Sequence, residues 1–466
     1  MARLPAVTHN AASEGCDGAT VEAGKGRQGW FWLAVVAAVL LAQAPLVFNP
    51  GYFSHDELQW AAFAGQDANL VSRSYLWTGL DSFQYRPLTF SLWLWLSQHL
   101  FAHPFLFHGV MVAWGGLNCA MLATLLRRFE VAPAPAFAAA LVFALSPFAM
   151  QTHGWVGTIG DLIWVGCALA TGLLATAQRP RAPLAIALGA AALTAIGLLS
   201  KESAIVIPAL TAVAWLMLGR PRSWGYATLG ALVPVAIYLA LRLGVILFAP
   251  RQSNYGWSLA NIPLRWLEYQ VFPPIATRLG ITGLLPDGFS GARTWIGLGV
   301  WLALAWAFWR AGLRWLIAFV LLGGAALGPV LILAESANQY GYGYAAAVAG
   351  LGAAAWTRLG RGARTVLVLA ALLSCWHGVN VMRRMHQIGE LQSVFSPSLA
   401  RAVAASGNNS VRIRAQDPGQ HWIYLRLCHE IPSYDGVPIG DRVVLVATDA
   451  PADYVIGKDG ALSPVR

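Results

Sequence analysis

Charge is what this chain most lacks. Only 11% of its 466 residues are Asp, Glu, Lys or Arg, against about 25% in a soluble domain, too few to coat a water-facing surface of that size. Hydrophobic residues make up 57% and mean hydropathy is +0.56, so the composition specifies a polytopic membrane protein. Cysteine is scarce as well. Cys119, Cys167 and Cys375 fall inside apolar runs and behave as small hydrophobes. Cys16 and Cys428 sit in opposite tails, which leaves no disulfide framework. Acid is outnumbered by base, 21 to 31, for a formal charge of +10. That excess does not imply nucleic acid, because many arginines lie in short connections between apolar runs, where they orient helices against the cytoplasmic face.

Residues 1–29 are rich in small and polar side chains and are expected to form a disordered cytoplasmic tail. The run 30–48 is long enough to span a bilayer. Ala42-Gln43-Ala44 looks like a signal-peptide cleavage site, but Pro45 would follow the cut and the run continues, so a retained helix is expected. Lys25 and Arg27 place its start in the cytoplasm. Further apolar runs cover 105–126, 137–150, 156–177, 184–199, 204–218, 226–248, 295–309, 315–333, 344–356 and 366–381, which makes about eleven spans. Alternate connections then carry Arg127-Arg128, Arg179 and Arg181, Arg220 and Arg222, Arg310 and Arg314, and Arg358, Arg361 and Arg364, in agreement with the positive-inside rule. The odd count puts the C-terminus outside. Usage rich in alanine, glycine and arginine points to a bacterial inner membrane. The expected architecture is an all-α transmembrane domain over 30–385, with a first outer loop at 49–103. A small mixed α/β periplasmic module follows at 386–466, with strands expected at 422–427, 442–447 and 454–456.

The outer connections hold His55, Asp56, Glu57, Asp81, Arg86, His153, Asp161, Lys201, Glu202 and Glu335. Ionisable groups near a bilayer are costly and usually face a cavity or a partner, so their gathering on one side suggests an outward-facing site; hydrated loop surface is the plainer alternative. Residues 56–64 have the pattern of an interfacial amphipathic helix, and 89–100 reads as interfacial or re-entrant. A lone histidine such as His153 is more often structural than catalytic. Asp161, inside an apolar run, needs a partner, since a mid-helix carboxylate costs about 2.5–3.5 kcal/mol. Ser200 could cap the following helix and Glu202 favour its N-terminal end, but Lys201 opposes that dipole unless the loop binds an anion. Tyr238 and Arg242 share a helix face, where the guanidinium could snorkel or meet a phosphate.

Five short motifs in this order carry a family resemblance. They are Asp56-Glu57 after the first span, Tyr85-Arg86-Pro87-Leu88, Ser146-Pro147 with His153-Gly154-Trp155 and Asp161, Leu198-Leu199-Ser200-Lys201-Glu202, and Tyr238-Leu239-Ala240-Leu241-Arg242. Over roughly residues 30–345 the chain resembles the integral-membrane GT-C glycosyltransferases. It is most similar to the protein O-mannosyltransferase branch that carries tetratricopeptide repeats, and bacterial polyprenyl-phosphate-sugar transferases belong to the same superfamily. The resemblance implies transfer of a sugar from a polyprenyl-phosphate carrier to an acceptor hydroxyl of a protein, lipid or glycan on the outer face. Asp56 would be the general base with Glu57 beside it, and Lys201, Arg242 or Arg86 would meet the donor phosphate. His55, His153, Asp161, Glu202, Glu335 and Tyr340 would line the substrate site. A divalent metal could sit on the carboxylates and histidine, yet metal-independent relatives exist. The chain departs from the family where Thr158-Ile159-Gly160 precedes Asp161 without an arginine, and again before Tyr340. The residues after Met385 are too few for a repeat array. The alternatives are a non-enzymatic transporter or flippase for lipid-linked glycans, and a structural scaffold.

Overall fold

The structure is a computed structural model that describes residues 17–66, 77–177, 181–248, 256–270, 290–334, 336–428 and 431–465. In chain order the α-helices are α1 (Asp17–Ala42), α2 (Ala44–Val47), α3 (His55–Gln66), α4 (Pro87–Leu100), α5 (Pro104–Arg128), α6 (Pro133–Ala144), α7 (Pro147–Gly154), α8 (Ile159–Ala175), α9 (Pro183–Ser200) and α10 (Ile207–Met217). They continue with α11 (Arg222–Phe248), α12 (Ile262–Glu268), α13 (Ala292–Ala311), α14 (Leu313–Leu327), α15 (Tyr342–Ala355), α16 (Arg361–Ala405) and α17 (His421–Cys428). Proline opens α4, α5, α6, α7 and α9, the position where its fixed φ and missing N–H cost nothing.

All eleven apolar runs are helical, but length and hydropathy qualify fewer of them as spans. Six helices among the described residues are long and apolar enough to cross a membrane: Pro104–Arg128, Val156–Ala175, Pro183–Ser200, Arg222–Phe248, Leu313–Ile332 and Arg361–Ala405. A seventh crossing is available if α6 and α7, bent by 63° at their junction, count as one. The bend falls where Ser146 caps α7 through Ala149 N and Pro147 withholds its N–H. The first run is not one continuous helix either. It breaks at Gln43, whose buried amide donates to Ala144 O at 2.7 Å, and Pro45 follows in the first turn of α2. Its N-terminal helix starts at Asp17, inside the stretch expected to be disordered; residues 1–16 lie outside the described residues.

The helices form a bundle in which α5 packs on α1, α6 and α8, α9 on α8 and α11, and α15 on α6 and α14. The last helix, α16, crosses the α6–α7 junction so closely that a Cβ on Gly378 would overlap the Leu145 carbonyl. It continues without interruption past Met385, and the strand-bearing part of the tail begins only at β1 (Val411–Ala415). With β2 (Ser433–Tyr434), β3 (Val437–Pro438), β4 (Val443–Leu445), β5 (Tyr454–Ile456) and β6 (Leu462–Pro464), it forms a small module. The sheet order is β4-β1-β5-β6, with β1 parallel to both neighbours and β5 antiparallel to β6; β2 and β3 make a separate hairpin. Strands at 442–447 and 454–456 agree with expectation. The stretch 422–427 is instead helical, because Ile423, Tyr424 and Leu427 make one buried stripe against the sheet and α16.

Candidate functional site

Ser54-His55-Asp56-Glu57 is the N-terminus of α3. The Ser54 amide donates to Glu57 Oε2 at 3.2 Å, and Ser54 Oγ accepts from the Asp56 amide at 3.4 Å. The glutamate half is that of a capping box, while the hydroxyl caps the second helical amide rather than the third, and the pair explains why a serine stands three residues before a glutamate here. Glu57 is fully buried, and its other oxygen accepts from Val156 N at 3.3 Å. The side chain therefore ties α3 to the turn that follows α7. Burial first, and then the neighbouring Asp56 charge, push the Glu57 carboxyl up to about 8, against the pull of the backbone amides and of Arg426.

Asp56 stays partly open, with 18% of its side chain exposed. Its Oδ2 accepts from Ser54 Oγ and from Trp155 Nε1, each at 3.0 Å, while Oδ1 lies 3.4 Å from His55 Nε2. The carboxylate is thus held through Oδ2 by two donors, while Oδ1 lies beside His55 and the side chain keeps some exposure. Arg426, carried by α17, reaches across from the C-terminal module. Its Nη2 donates to Ser54 Oγ at 2.9 Å, and its guanidinium lies 4.8 Å from the Phe53 ring and 5.2 Å from that of Trp155. Burial lowers the guanidinium's proton affinity, which Asp56 and Glu57 oppose. Burial, reinforced by Glu57, also raises the Tyr52 phenol, whose backbone N–H donates to Gln392 Oε1 of α16 at 2.8 Å.

A second polar cluster surrounds the start of α4. Arg86 pairs with Glu202, its Nη2 at 2.8 Å and its Nε at 2.9 Å from Oε2. Lys201 is ion-paired with Asp161, whose other oxygen accepts from Trp164 Nε1 at 3.0 Å, and the ammonium lies 5.0 Å from the Tyr340 ring. Burial lowers the Lys201 ammonium, and Asp161 pulls it back. Asp161 thus has the partner its position demands, and Lys201 is explained without any added anion. Ser200 does not cap the next helix; its Oγ donates back to Ile196 O at 2.8 Å. Arg242 is fully buried and neither snorkels nor faces open space. It donates to Leu80 O and, at 3.0 Å, to Phe83 O, and it sits against the Tyr85 and Tyr238 rings. Its duty is to hold residues 80–85.

His153 belongs to a third group, inside the bundle. It lies between Gln43 Oε1 at 2.9 Å and Tyr342 OH at 3.0 Å, and Asn118 Nδ2 donates to the same phenol at 3.2 Å. Every one of these side chains is buried, so His153 is a satisfied core histidine. Glu335 lies outside the described residues.

The structure therefore brings His55, Asp56 and Glu57 together, and separately Arg86, Asp161, Lys201, Glu202 and Tyr340. The two groups are linked through α3 and α4, where Trp60 stacks on Phe90 and Trp93 with ring centroids 5.4 and 5.1 Å apart. Sequence reasoning names the stretch beginning at Ser54 and the motif ending at Trp155 without giving either residue a role, and it missed Arg426. The Ser-x-x-Glu spacing could have revealed the role of Ser54; Arg426 carried no signal, since it contacts a residue 372 positions earlier. Among the described residues no three His, Cys, Asp or Glu side chains converge as metal ligands.

Six apolar helices of spanning length, with a small α/β module at one end of the bundle, define a multi-helix membrane protein. No protein-family model matches the chain, and no curated protein matches it.

Proposed function

We propose that the protein is a glycosyltransferase of the outer membrane face, moving a sugar from a polyprenyl-phosphate carrier to an acceptor hydroxyl, with Asp56 as general base. The observation that carries this reading is the held and partly open Asp56 carboxylate, with Oδ2 fixed by two donors and Oδ1 beside His55. In the step, the acceptor oxygen bonds to the anomeric carbon as its proton passes to Asp56. The bond from that carbon to the phosphate oxygen breaks, and the polyprenyl phosphate leaves with the electron pair. Developing negative charge on that phosphate is met by Lys201 and Arg86, each of which must loosen its hold on Asp161 or Glu202 to do so. Arg242 contributes by fixing the loop at 80–85, rather than by touching phosphate. The carrier's tail needs an apolar berth, and a cavity of about 690 Å³ between α6, α13, α15 and α16 is lined mostly by alanine and other apolar side chains.

The finer topology belongs to the same proposal: about eleven crossings, counting the short and bent helices, the N-terminus in the cytoplasm, and the site and module in the periplasm of a bacterial inner membrane. Metal is left open by this mechanism, which asks only for proton transfer and charge stabilisation. A strain whose only copy carries Asp56→Asn should lose transfer by about 100-fold or more, the scale of a positioned carboxylate's contribution. A glycan profile identical to wild type in that strain would sink the enzyme reading and leave a transporter or a scaffold.

A further inference from the structure

Arg426 is the one charged side chain that the C-terminal module sends to the Asp56 site among the described contacts, and three features show how firmly it is delivered. The first is the rod beneath it. On α16, Gln392 Oε1 accepts from Tyr52 N at 2.8 Å, Asn49 Nδ2 donates to Met385 O at 3.3 Å, and His386 Nδ1 lies 2.8 Å from Pro45 O. The segment leading into α3 is therefore pinned to that helix. The second is the packing of the module on the same rod. Phe395 of α16 meets Tyr424 of α17 with ring centroids 4.9 Å apart, and the β5–β6 turn at Gly460 lies against Leu391. The third is the seat itself. The guanidinium packs against both the Phe53 and Trp155 rings, which meet each other edge-to-face with centroids 5.8 Å apart, and bonds Ser54 Oγ, so it touches both donors that hold Asp56 Oδ2.

We propose that Arg426 is a positioning residue of the Asp56 site: by seating on Ser54, Phe53 and Trp155 it fixes the two donors that aim Asp56, so the C-terminal module completes the site. The proposal rests on the reading of Asp56 as general base, and it gives the module a role in the reaction beyond capping the bundle. A guanidinium suits the task because it stacks on rings and donates in its own plane at the same time; an ammonium does the second without the first.

The charge has a second effect. Glu57 is faced by Asp56 on its own helix, by Tyr52 before it and by Arg426 from α17; His55 lies against Asp56, β2 with Tyr434 packs on α3, as does α4 with His99, and Arg86 ahead of α4 is engaged by Glu202. Of these, Arg426 is the cation that favours an ionised Glu57. Removing it leaves two adjacent carboxyls without that compensation.

The experiment uses the full chain in detergent. The infrared carboxylic-acid band that vanishes in Glu57→Gln is titrated in wild type, Arg426→Gln and Arg426→Lys, beside cellular glycan transfer by the same variants. Arg426→Gln should move the midpoint of that band up by at least one pH unit and cut transfer at least tenfold. Arg426→Lys should restore most of the midpoint but less of the transfer, because the ring stack is lost. Ser54→Ala, which keeps the guanidinium but removes its hydrogen-bonded link to Asp56 and leaves only the contact through Trp155, should cut transfer at least tenfold, and it carries the test if Arg426→Gln does not fold. An unmoved midpoint with wild-type transfer in Arg426→Gln, or wild-type transfer in Ser54→Ala, overturns the proposal. Failure of the general-base reading looks different: Asp56→Asn leaves glycans unchanged while the infrared shift persists.

Discussion

At the scale of single residues, the carboxylates next to each other in sequence have different work. Glu57 spends both oxygens on backbone amides, while Asp56 is held by side chains and stays partly open. The raised Glu57 carboxyl has a consequence for stability. Its folded pKa, about 8, lies above the value of 4.5 expected when unfolded. The folded state therefore binds the proton more tightly between those values, and stability falls as pH rises through that window. Glu57→Gln, which keeps the shape and cannot ionise, should flatten the decline of Tm between pH 5 and about 8, read by thermal unfolding at several pH values. A mutant slope as steep as wild type would show that Glu57 is not the group responsible. Residue chemistry was partly legible in the sequence. An intramembrane carboxylate had to find a partner, and Asp161 found Lys201. The partner's identity was not legible, because the two are 40 positions apart and nothing local marks the pairing.

At the scale of elements, apolar runs foretold helices well, since a bilayer-length run of apolar residues satisfies its backbone in no other way. Where those helices break was less visible. The run 30–48 reads as continuous, yet Gln43 interrupts it; Ser146-Pro147, expected in the second outer connection, breaks the run 137–150. Those two breaks meet, with Gln43 Nε2 donating to Ala144 O at 2.7 Å beside the second break. The stretch 422–427 failed differently: three aromatic or β-branched residues, Trp422, Ile423 and Tyr424, favour a strand, and burial against α16 decided for a helix. The close approach of α16 to the first loop gives a direct check. A Cβ on Gly389 would overlap the Asn49 side-chain amide, so Gly389→Ala should lower stability by about 1–3 kcal/mol, the usual cost of overpacking, in a detergent thermal-shift assay. Gly299→Ala, on α13 with open space around it, is the control and should be neutral or slightly stabilising.

At the scale of the whole molecule, low charge and high hydropathy were enough to specify a helical membrane protein, and the bundle agrees. The number of crossings was not legible to the same degree. Short helices such as Glu202–Met217 are apolar by composition without having spanning length, and a run does not reveal whether it tilts, bends or stops short. The proposed orientation predicts opposite exposure for the two ends of α16. With Cys16 and Cys428 replaced by serine, Asn408→Cys should react with a membrane-impermeant thiol reagent in intact cells, and Arg361→Cys only after permeabilisation. Both positions are exposed, so labelling reports sidedness rather than burial. The reverse pattern would invert the topology and remove the outer-face mechanism with it.

The 45-residue helix α16 also acts as a ruler. At 1.5 Å per residue it is about 68 Å long, more than twice the ~30 Å hydrocarbon core. Counted from Arg361, the stretch that grips Asn49 and Gly51 near Gly389 lies about 42 Å along the rod, close to the ~40–45 Å thickness of a bilayer with its headgroups. If Arg361 marks one surface, Asp56 is pegged at headgroup height on the other. On the proposed glycosyltransferase reading, an acceptor would have to come down to the lipid surface to be used, where a sugar tethered to a lipid phosphate would lie at the same level.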